Sequence, residues 1–551
     1  MSLFRTRAPE LPSWRVPPVR PVARPSIVAA VAVSDRLRLG LDGEWKQRAL
    51  APDRVLVDGA DLLLVEVADG TVPGFGPPDS PAVAALAAEA ARHDVPLLVW
   101  ATSGLPPAGA GTLTDAASAV FAADRLEAWQ VVAPAATPLL PAASPRVHGP
   151  AAGPGERRPA RAAVVTSGPL DPALAGAVAT VLAAAVRPLE DALDVHRLDD
   201  ELPVRAVLPS SLANSLRDGT YADAVAAVNN ARVLVDGARR SPGDTWAVVE
   251  AGAAQTAVVS LPEGAGDAAA YRGEIVARLQ QTELRDREAL VQHREVLAGH
   301  TYGHRADELV VAAGGQPPVR DRSVSAIVPT NRAHEIDSVL ATLGRQAHDH
   351  VELVLVLHGL DLPEADLRAR ATEHGVRQLT VVPADSTLTL GACLNLGIDA
   401  SSGAYVAKMD DDNIYGRHYL TDLLNAVESS GAGIVGKWAH YVWLRSTGAV
   451  VLRYPDAEHT WERRIQGGSM LFEGEVVRRL RFGDLPRAVD SDLLDRAIAE
   501  DVKIWSADRF NYVSVRGDDR TAHTWTVADE TFLTASGRLA FYGDPRMHVE
   551  V

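Results

Sequence analysis

The chain has 551 residues, a formal net charge of -17, 47% hydrophobic and 23% charged residues, and a single cysteine, Cys393. The acidic balance excludes adhesion of the whole surface to nucleic acid or anionic lipid, and the lone cysteine excludes an intramolecular disulfide framework or a cysteine-based zinc site. A chain this long exceeds one hydrophobic core and points to roughly three or four domains of an ordinary globular protein.

Residues 1–25 are rich in Pro and Arg and are expected to form a flexible arm. The apolar run after them, 27–33, is too short for a signal peptide, and no window approaches eighteen uninterrupted apolar residues, so no transmembrane span is expected. With a cysteine count that suits a reducing compartment, the expected location is cytoplasmic, peripheral at a membrane at most.

Within 26–145, apolar runs at 27–33, 55–57, 62–67 and 95–100 read as strands, and Val83, Leu86, Ala87 and Ala90 give helical spacing over 81–92. This β-α-β alternation implies a parallel sheet with covering helices. A Pro-, Ala- and Gly-rich loop at 134–159 marks a boundary, and 146–265 repeats the pattern: strands at 162–166, 206–208 and 232–235, helices at 172–186 and 221–229. Residues 266–319 read as a helical connector with an apolar stripe of Ile275, Leu279, Leu284, Leu290, Val291 and Leu297, ending in the Gly- and Pro-bearing linker 314–323.

The last domain, 320–551, opens with a strand at 325–328 that ends in PTNR, followed by Ile336, Val339, Leu340 and Leu343 at amphipathic-helix spacing. Strands at 351–357 and 378–382 and helices at 363–374 and 390–400 lead to YVAKMDDDNIY, 405–415, where an apolar strand stops on three carboxylates. Strand alternation predicts that Asp410 and Asp412 project together with Asp411 opposite, at the carboxyl edge where open α/β sheets bind ligands. Converging carboxylates suit a hard cation, Mn2+ or Mg2+, which fills its remaining positions with phosphate and water. An acidic helix start is the other reading of the triplet.

SAIVPTNR, ELVLVLHG and LGACLNLGIDASSGAYVAKMDDDNIY, in that order, are similar to the family 2 glycosyltransferases of GT-A fold, over about 320–530. The resemblance implies a metal-dependent, inverting glycosyltransferase that moves a sugar from a nucleotide-sugar donor, UDP- or other NDP-sugar, to a glycan, lipid-linked or protein acceptor, a cell-envelope glycan among them. By it Asp412 and Asp410 hold the metal, Asp410 or Asp411 meets the ribose or the metal's waters, and Pro329, Thr330, Asn331, Arg332 and Asn395 bind substrate. LPRAVDSDLLDR, 485–496, resembles the family's Glu-Asp-x-Asp-Leu motif, which makes Asp490 the catalytic base and Asp492 the next acid, with Val489 in place of the Glu. Gly467 and Gly468, in QGGSMLF, resemble the acceptor-pocket loop, and His523 resembles a late metal-ligating His. Departures are Leu357, His358 and Gly359 where many members carry base-reading Asp, and Leu394 where an Arg is common.

The N-terminal region, through SPRVHGP at 144–150, Glu250 and HTYGHR at 300–305, resembles the CgeB-like spore proteins and their GT-B arrangement of two Rossmann-like halves. The fold expected is therefore α/β throughout: a GT-A domain with a mostly parallel sheet, preceded by two GT-B-type halves that organise a homo-oligomer or the acceptor. Glu250 stands where GT-B enzymes contact the donor ribose, and is read here as a helix residue. Two other functions stay open. One is a noncatalytic binding or assembly module. The other is a sugar nucleotidyltransferase, although PTNRAHE lacks the glycines of that class's phosphate loop.

Overall fold

The computed structural model describes residues 12–151, 162–166, 193–197, 216–218, 220–236, 246–260, 268–485, 488–517, 529–534 and 536–551. They fall into two compact units, Arg20–Val319, and Met1–Val19 with Arg320–Val551. The helix expected at 172–186, the strand expected at 206–208 and His523 lie outside the described residues. Among the described residues no helix is long and apolar enough to cross a membrane.

In the Arg20–Val319 unit, six parallel strands form one sheet in the order Trp45–Ala49, Arg24–Ala32, Leu62–Val67, Leu97–Ala101, Ala119–Ala122, Thr137–Pro138. Every residue of Leu62–Val67 and Leu97–Ala101 is buried, as expected for a parallel sheet covered on both faces; each fully buried Leu or Val contributes on the order of 1.5–3 kcal/mol. The helix Pro81–His93 begins where Ser80 accepts a hydrogen bond from the Val83 amide and ends at Asp94 in the left-handed conformation. A second sheet of five parallel strands runs Ala257–Ser260, Val233–Asp236, Ala162–Thr166, Leu193–Arg197, Leu216–Asp218.

Three expectations need correction here. Residues 55–57 form no strand; the strand is Trp45–Ala49, an edge strand whose sequence WKQRA carries no apolar run because its outer side is solvated. The bounds 1–25 expected for an arm overlap the first strand: Arg24 is buried in it, bonded to Glu44 at 2.5 Å, to the Gly303 carbonyl at 2.8 Å and to Asp307. Ser13–Arg15 is a turn of 3-10 helix whose Ser13 carbonyl accepts from Lys503. The connector is three helices, Ala268–Gln280, Thr282–Gly299 and Tyr302–Ala312. The break at Gln281 resets the helical phase, so Leu284 and Val291 are exposed while Arg285, Ala289, Leu290, His293, Val296 and Leu297 face inward. Tyr302, Ala306, Leu309 and Val310 of the last helix return to the core of the first sheet beside Ala29, Val31 and Leu62.

The C-terminal unit carries a sheet of eight strands in the order Gln378–Ala384, Val351–His358, Val324–Thr330, Tyr405–Lys408, Met470–Glu473, Ile434–Gly436, Ile504–Ser506, Thr460–Trp461. The first four are parallel; Met470–Glu473 runs antiparallel to both of its neighbours. The helix Ile336–Gly344 buries Ile336, Val339, Leu340 and Leu343, and Leu390–Ala400 buries Cys393, Leu394, Gly397 and Ile398 after a Thr389 cap. A smaller sheet follows the order Ile414–Tyr415, Tyr512–Arg516, His440–Leu444, Ala449–Arg453, Gly537–Tyr542.

Candidate active site

After the strand Val324–Thr330 the chain steps outward twice to one side, then crosses back to lay Tyr405–Lys408 on the other. The strand order therefore reverses between those two strands, and the crevice beyond their carboxyl ends is where such sheets take ligands. One rim is Thr330–Arg332 and the other Met409–Asp412. The strand stops at Lys408, so the acidic triplet occupies the turn beyond it and strand alternation does not govern its side chains.

Asp411 turns inward and is buried: the Thr330 hydroxyl donates to it at 2.6 Å, Arg332 Nε at 3.1 Å, and Arg332 Nη2 pairs with its second oxygen. The same Nη2 lies 3.0 Å from Asp412 Oδ2, so one guanidinium spans two members of the triplet. Burial pushes the Asp412 carboxyl above the usual range and the charge of Asp410 pushes it further, with Arg332 opposing.

Lys408 is the hub. Its side chain is 4% exposed, and its ammonium donates to Asp410 Oδ1 at 3.0 Å and to the Gly467 carbonyl at 2.9 Å, and lies 3.5 Å from Asp490 Oδ1. Burial alone would lower its pKa; Asp410 and Asp490 raise it above the ordinary value, so the ammonium stays charged. Asp490 sits on the first turn of the helix Val489–Ala499. Burial pushes its carboxyl upward, Lys408 opposes, and Asp410 adds to the rise.

The two glycines are required by these carboxylates. A Cβ on Gly467 would lie 2.1 Å from Asp490 Oδ2, and one on Gly468 2.4 Å from Asp410 Oδ2. Below them, Tyr415 OH accepts from the Asp410 amide at 2.7 Å and donates to the Gly468 carbonyl at 2.8 Å. Asn413 Nδ2 donates to Asp410 Oδ2 at 3.1 Å and to Tyr512 OH at 3.2 Å, while its Oδ1 accepts from the Val515 amide at 3.0 Å. This underlayer of Asn413, Tyr415 and Tyr512, with Lys408 itself, escaped sequence reading. A lysine inside the apolar run YVAKM was the available signal, since a buried cation needs a carboxylate partner.

Not every expected residue reaches the crevice. Asp492 binds Arg496 at 3.0 and 2.8 Å, and Arg496 in turn donates to the Leu480 and Arg481 carbonyls, so Asp492 fixes the approach to its helix. Asn395 uses both ends of its amide on the Phe482 backbone, at 2.8 and 2.9 Å. Pro329 is half-buried in the ladder opposite Val356, whereas Asn331 is exposed on the Thr330–Arg332 rim.

Among the described residues no group of three or more metal-ligating side chains is assembled. Mg2+ and Mn2+ need only one or two carboxylates when a diphosphate and water complete the shell. A carboxylate pair in which Asp410 disfavours the charge on Asp412 fits that requirement.

In the Arg20–Val319 unit Glu250 is 3% exposed, and its Oε1 accepts from Arg36 Nε at 2.9 Å and from Tyr221 OH at 2.6 Å. His148 Nδ1 accepts from the Ser144 amide at 3.1 Å, which leaves its Nε2 to donate to Tyr221 OH at 2.8 Å.

Residues 325–475 match the family model described as Glycosyl transferase family 2, and that match does not extend to the N-terminal unit. No curated protein matches the chain. Among solved structures, a Pyrobaculum calidifontis mannosyltransferase in complex with GDP-Man and Mn2+ is 21% identical over 37% of this chain and 59% of its own, with a TM-score of 0.31. S. aureus TarS in complex with UDP-GlcNAc is 14% identical over 36% of this chain and 59% of its own, with a TM-score of 0.30. Glucosyl-3-phosphoglycerate synthase from Mycobacterium tuberculosis, with Mn2+, UDP and glucosyl-3-phosphoglycerate, is 18% identical over 36% and 73%, with a TM-score of 0.27. The chain thus spans 59% of the length of the first two. The similarity to glycosyl transferase family 2 thus lies in residues 325–475 of the C-terminal unit.

Proposed function

We propose that this unit transfers a sugar, with inversion, from a nucleotide-sugar donor to an acceptor hydroxyl, with Mn2+ or Mg2+ held by Asp412 and Asp410. When bound, the cation neutralises the departing diphosphate and fixes its position. Asp490 takes the proton of the acceptor hydroxyl; the hydroxyl oxygen bonds to the anomeric carbon as the bond to the diphosphate oxygen breaks, and that electron pair leaves with the diphosphate. Arg332 is the cation on the donor side of the triplet. Asp490 is suited to a base by its raised affinity for protons and by an Oδ2 that reaches past Gly467.

The observation that carries this reading is the shared ammonium of Lys408: Asp410 of the triplet and Asp490, distant in sequence, meet the same buried cation. A donor-side and an acceptor-side carboxylate at one strand end are what a one-step displacement requires. Incubating the full chain with UDP- and GDP-sugars and Mn2+, and following nucleotide release against a panel of glycan acceptors, tests it. Turnover that EDTA abolishes and Mn2+ restores is expected. Absence of turnover together with absence of diphosphate binding would favour the noncatalytic module.

A further inference from the structure

We propose that Lys408 is a positioning residue for the acceptor side of this reaction: it clamps Asp490 against the donor-side carboxylate, so that base and metal-binding aspartate form one rigid unit. The inference rests on the glycosyl-transfer reading and adds to it a residue that touches neither substrate.

The ammonium of Lys408 meets three different acidic or carbonyl groups: it donates to Asp410 and to the Gly467 carbonyl and forms an ion pair with Asp490 at 3.5 Å. They come from the turn after the strand Tyr405–Lys408, from the turn before the strand Met470–Glu473 and from the helix Val489–Ala499. With 4% of its side chain exposed, Lys408 holds these three segments at fixed spacing, and water has almost no access to replace it. Asp490 needs this more than its neighbours do. Among the described residues its buried Oδ1 has no hydrogen-bond partner, and Lys408 approaches it to 3.5 Å. The preceding Ala488 is in the left-handed conformation, with φ 59°, and no side chain caps the helix. Asp410, by contrast, is also held by Asn413. Removing the ammonium therefore frees Asp490 first and leaves Asp410 tethered.

The test compares Lys408→Arg and Lys408→Met with the unmodified chain, using the UDP- and GDP-sugar panel with Mn2+. Three quantities are read: transfer to acceptor, hydrolysis of the donor by water, and binding of UDP or GDP with Mn2+ by calorimetry. A base displaced by about 1 Å costs on the order of 100-fold in transfer. K408M is expected to lose about that much kcat for transfer while nucleotide binding stays within about threefold, so that the ratio of transfer to hydrolysis falls. K408R, which retains a cation, is expected to recover most of that ratio. K408M with the ratio of the unmodified chain overturns the positioning role alone. A variant that loses nucleotide binding and thermal stability with its ratio unchanged assigns Lys408 a purely structural role, which also overturns it. No turnover by the unmodified chain, with every donor and acceptor tried, removes the transfer reading and this inference with it.

Discussion

Each unit of this chain places carboxylates in a buried or half-buried setting, Glu250 in one and the Asp410–Asp412 turn with Asp490 in the other, and the two differ in their partners. Glu250 is closed: buried, flanked by Arg36, and bonded to a tyrosine that is itself held by His148. At the Asp410–Asp412 turn with Asp490, burial and the charge of Asp410 push the carboxyls of Asp412 and Asp490 upward, and Asp490 Oδ1 lies 3.5 Å from the Lys408 ammonium. A buried charge with close partners stabilises an arrangement, whereas carboxyls whose affinity for protons is raised by burial and by a neighbouring carboxylate are suited to receive a cation or a proton. The raised affinity for protons at Asp412 and Asp490 is what sets the second arrangement apart from the first.

The contrast can be broken most sharply at Asp490, the proposed base. Asp490→Asn is expected to lower turnover by about 10²–10⁴-fold, the range for a general base, measured as nucleotide release with saturating acceptor; turnover near that of the unmodified chain would place the chemistry elsewhere. Asp412→Ala should remove the Mn2+ dependence of nucleotide diphosphate binding, read by calorimetry with and without the metal. In the closed cluster the expected loss is of stability. Glu250→Ala leaves Arg36 without its carboxylate and should cost about 3–5 kcal/mol in denaturant unfolding of that unit, with turnover per folded molecule unchanged.

His440, beneath the site, gives a pH signature. Its Nδ1 donates to the Trp438 carbonyl at 2.7 Å, and burial pushes its pKa down to about 4, with that carbonyl opposing and Arg453 adding. The folded value lies below the unfolded one, so the neutral ring's contribution is complete above about pH 6.5 and is lost as pH falls toward 4, by about 3 kcal/mol in all. Thermal midpoints recorded across that window should fall for the unmodified chain and fall less for His440→Gln. The smallest effect belongs to Asp492→Asn: an i,i+4 pair with both side chains more than a third exposed contributes about 0.3–0.5 kcal/mol, and turnover should stay within about twofold.

The core of the C-terminal unit was legible because its apolar spacing is regular. Ile336, Val339, Leu340 and Leu343 face inward as their periodicity requires, and the helix Leu390–Ala400 has the bounds that its sequence indicated. Trp45–Ala49 was not legible, since a polar edge strand carries no hydrophobic period. At the site, the acids stand out in sequence, but what they bond to does not. Asp492 looks equivalent to Asp490 on paper; a position two residues on along the helix turns it toward Arg496 instead of Lys408. Asn395, placed by resemblance at the donor, is held by the Phe482 backbone, a contact between segments far apart in sequence that no local pattern encodes.

One ladder has a consequence for how this domain tolerates change. Lys408 pairs directly with Met470 across an antiparallel junction, and Met470 follows at once on the turn holding Gly467 and Gly468. Slippage of that junction by a single residue would swing the turn's carbonyls to the opposite side of the sheet, out of reach of the ammonium. Length changes between 466 and 470 should therefore be silencing even where every side chain is kept, while insertions at the exposed bend around Gly448 should pass unnoticed.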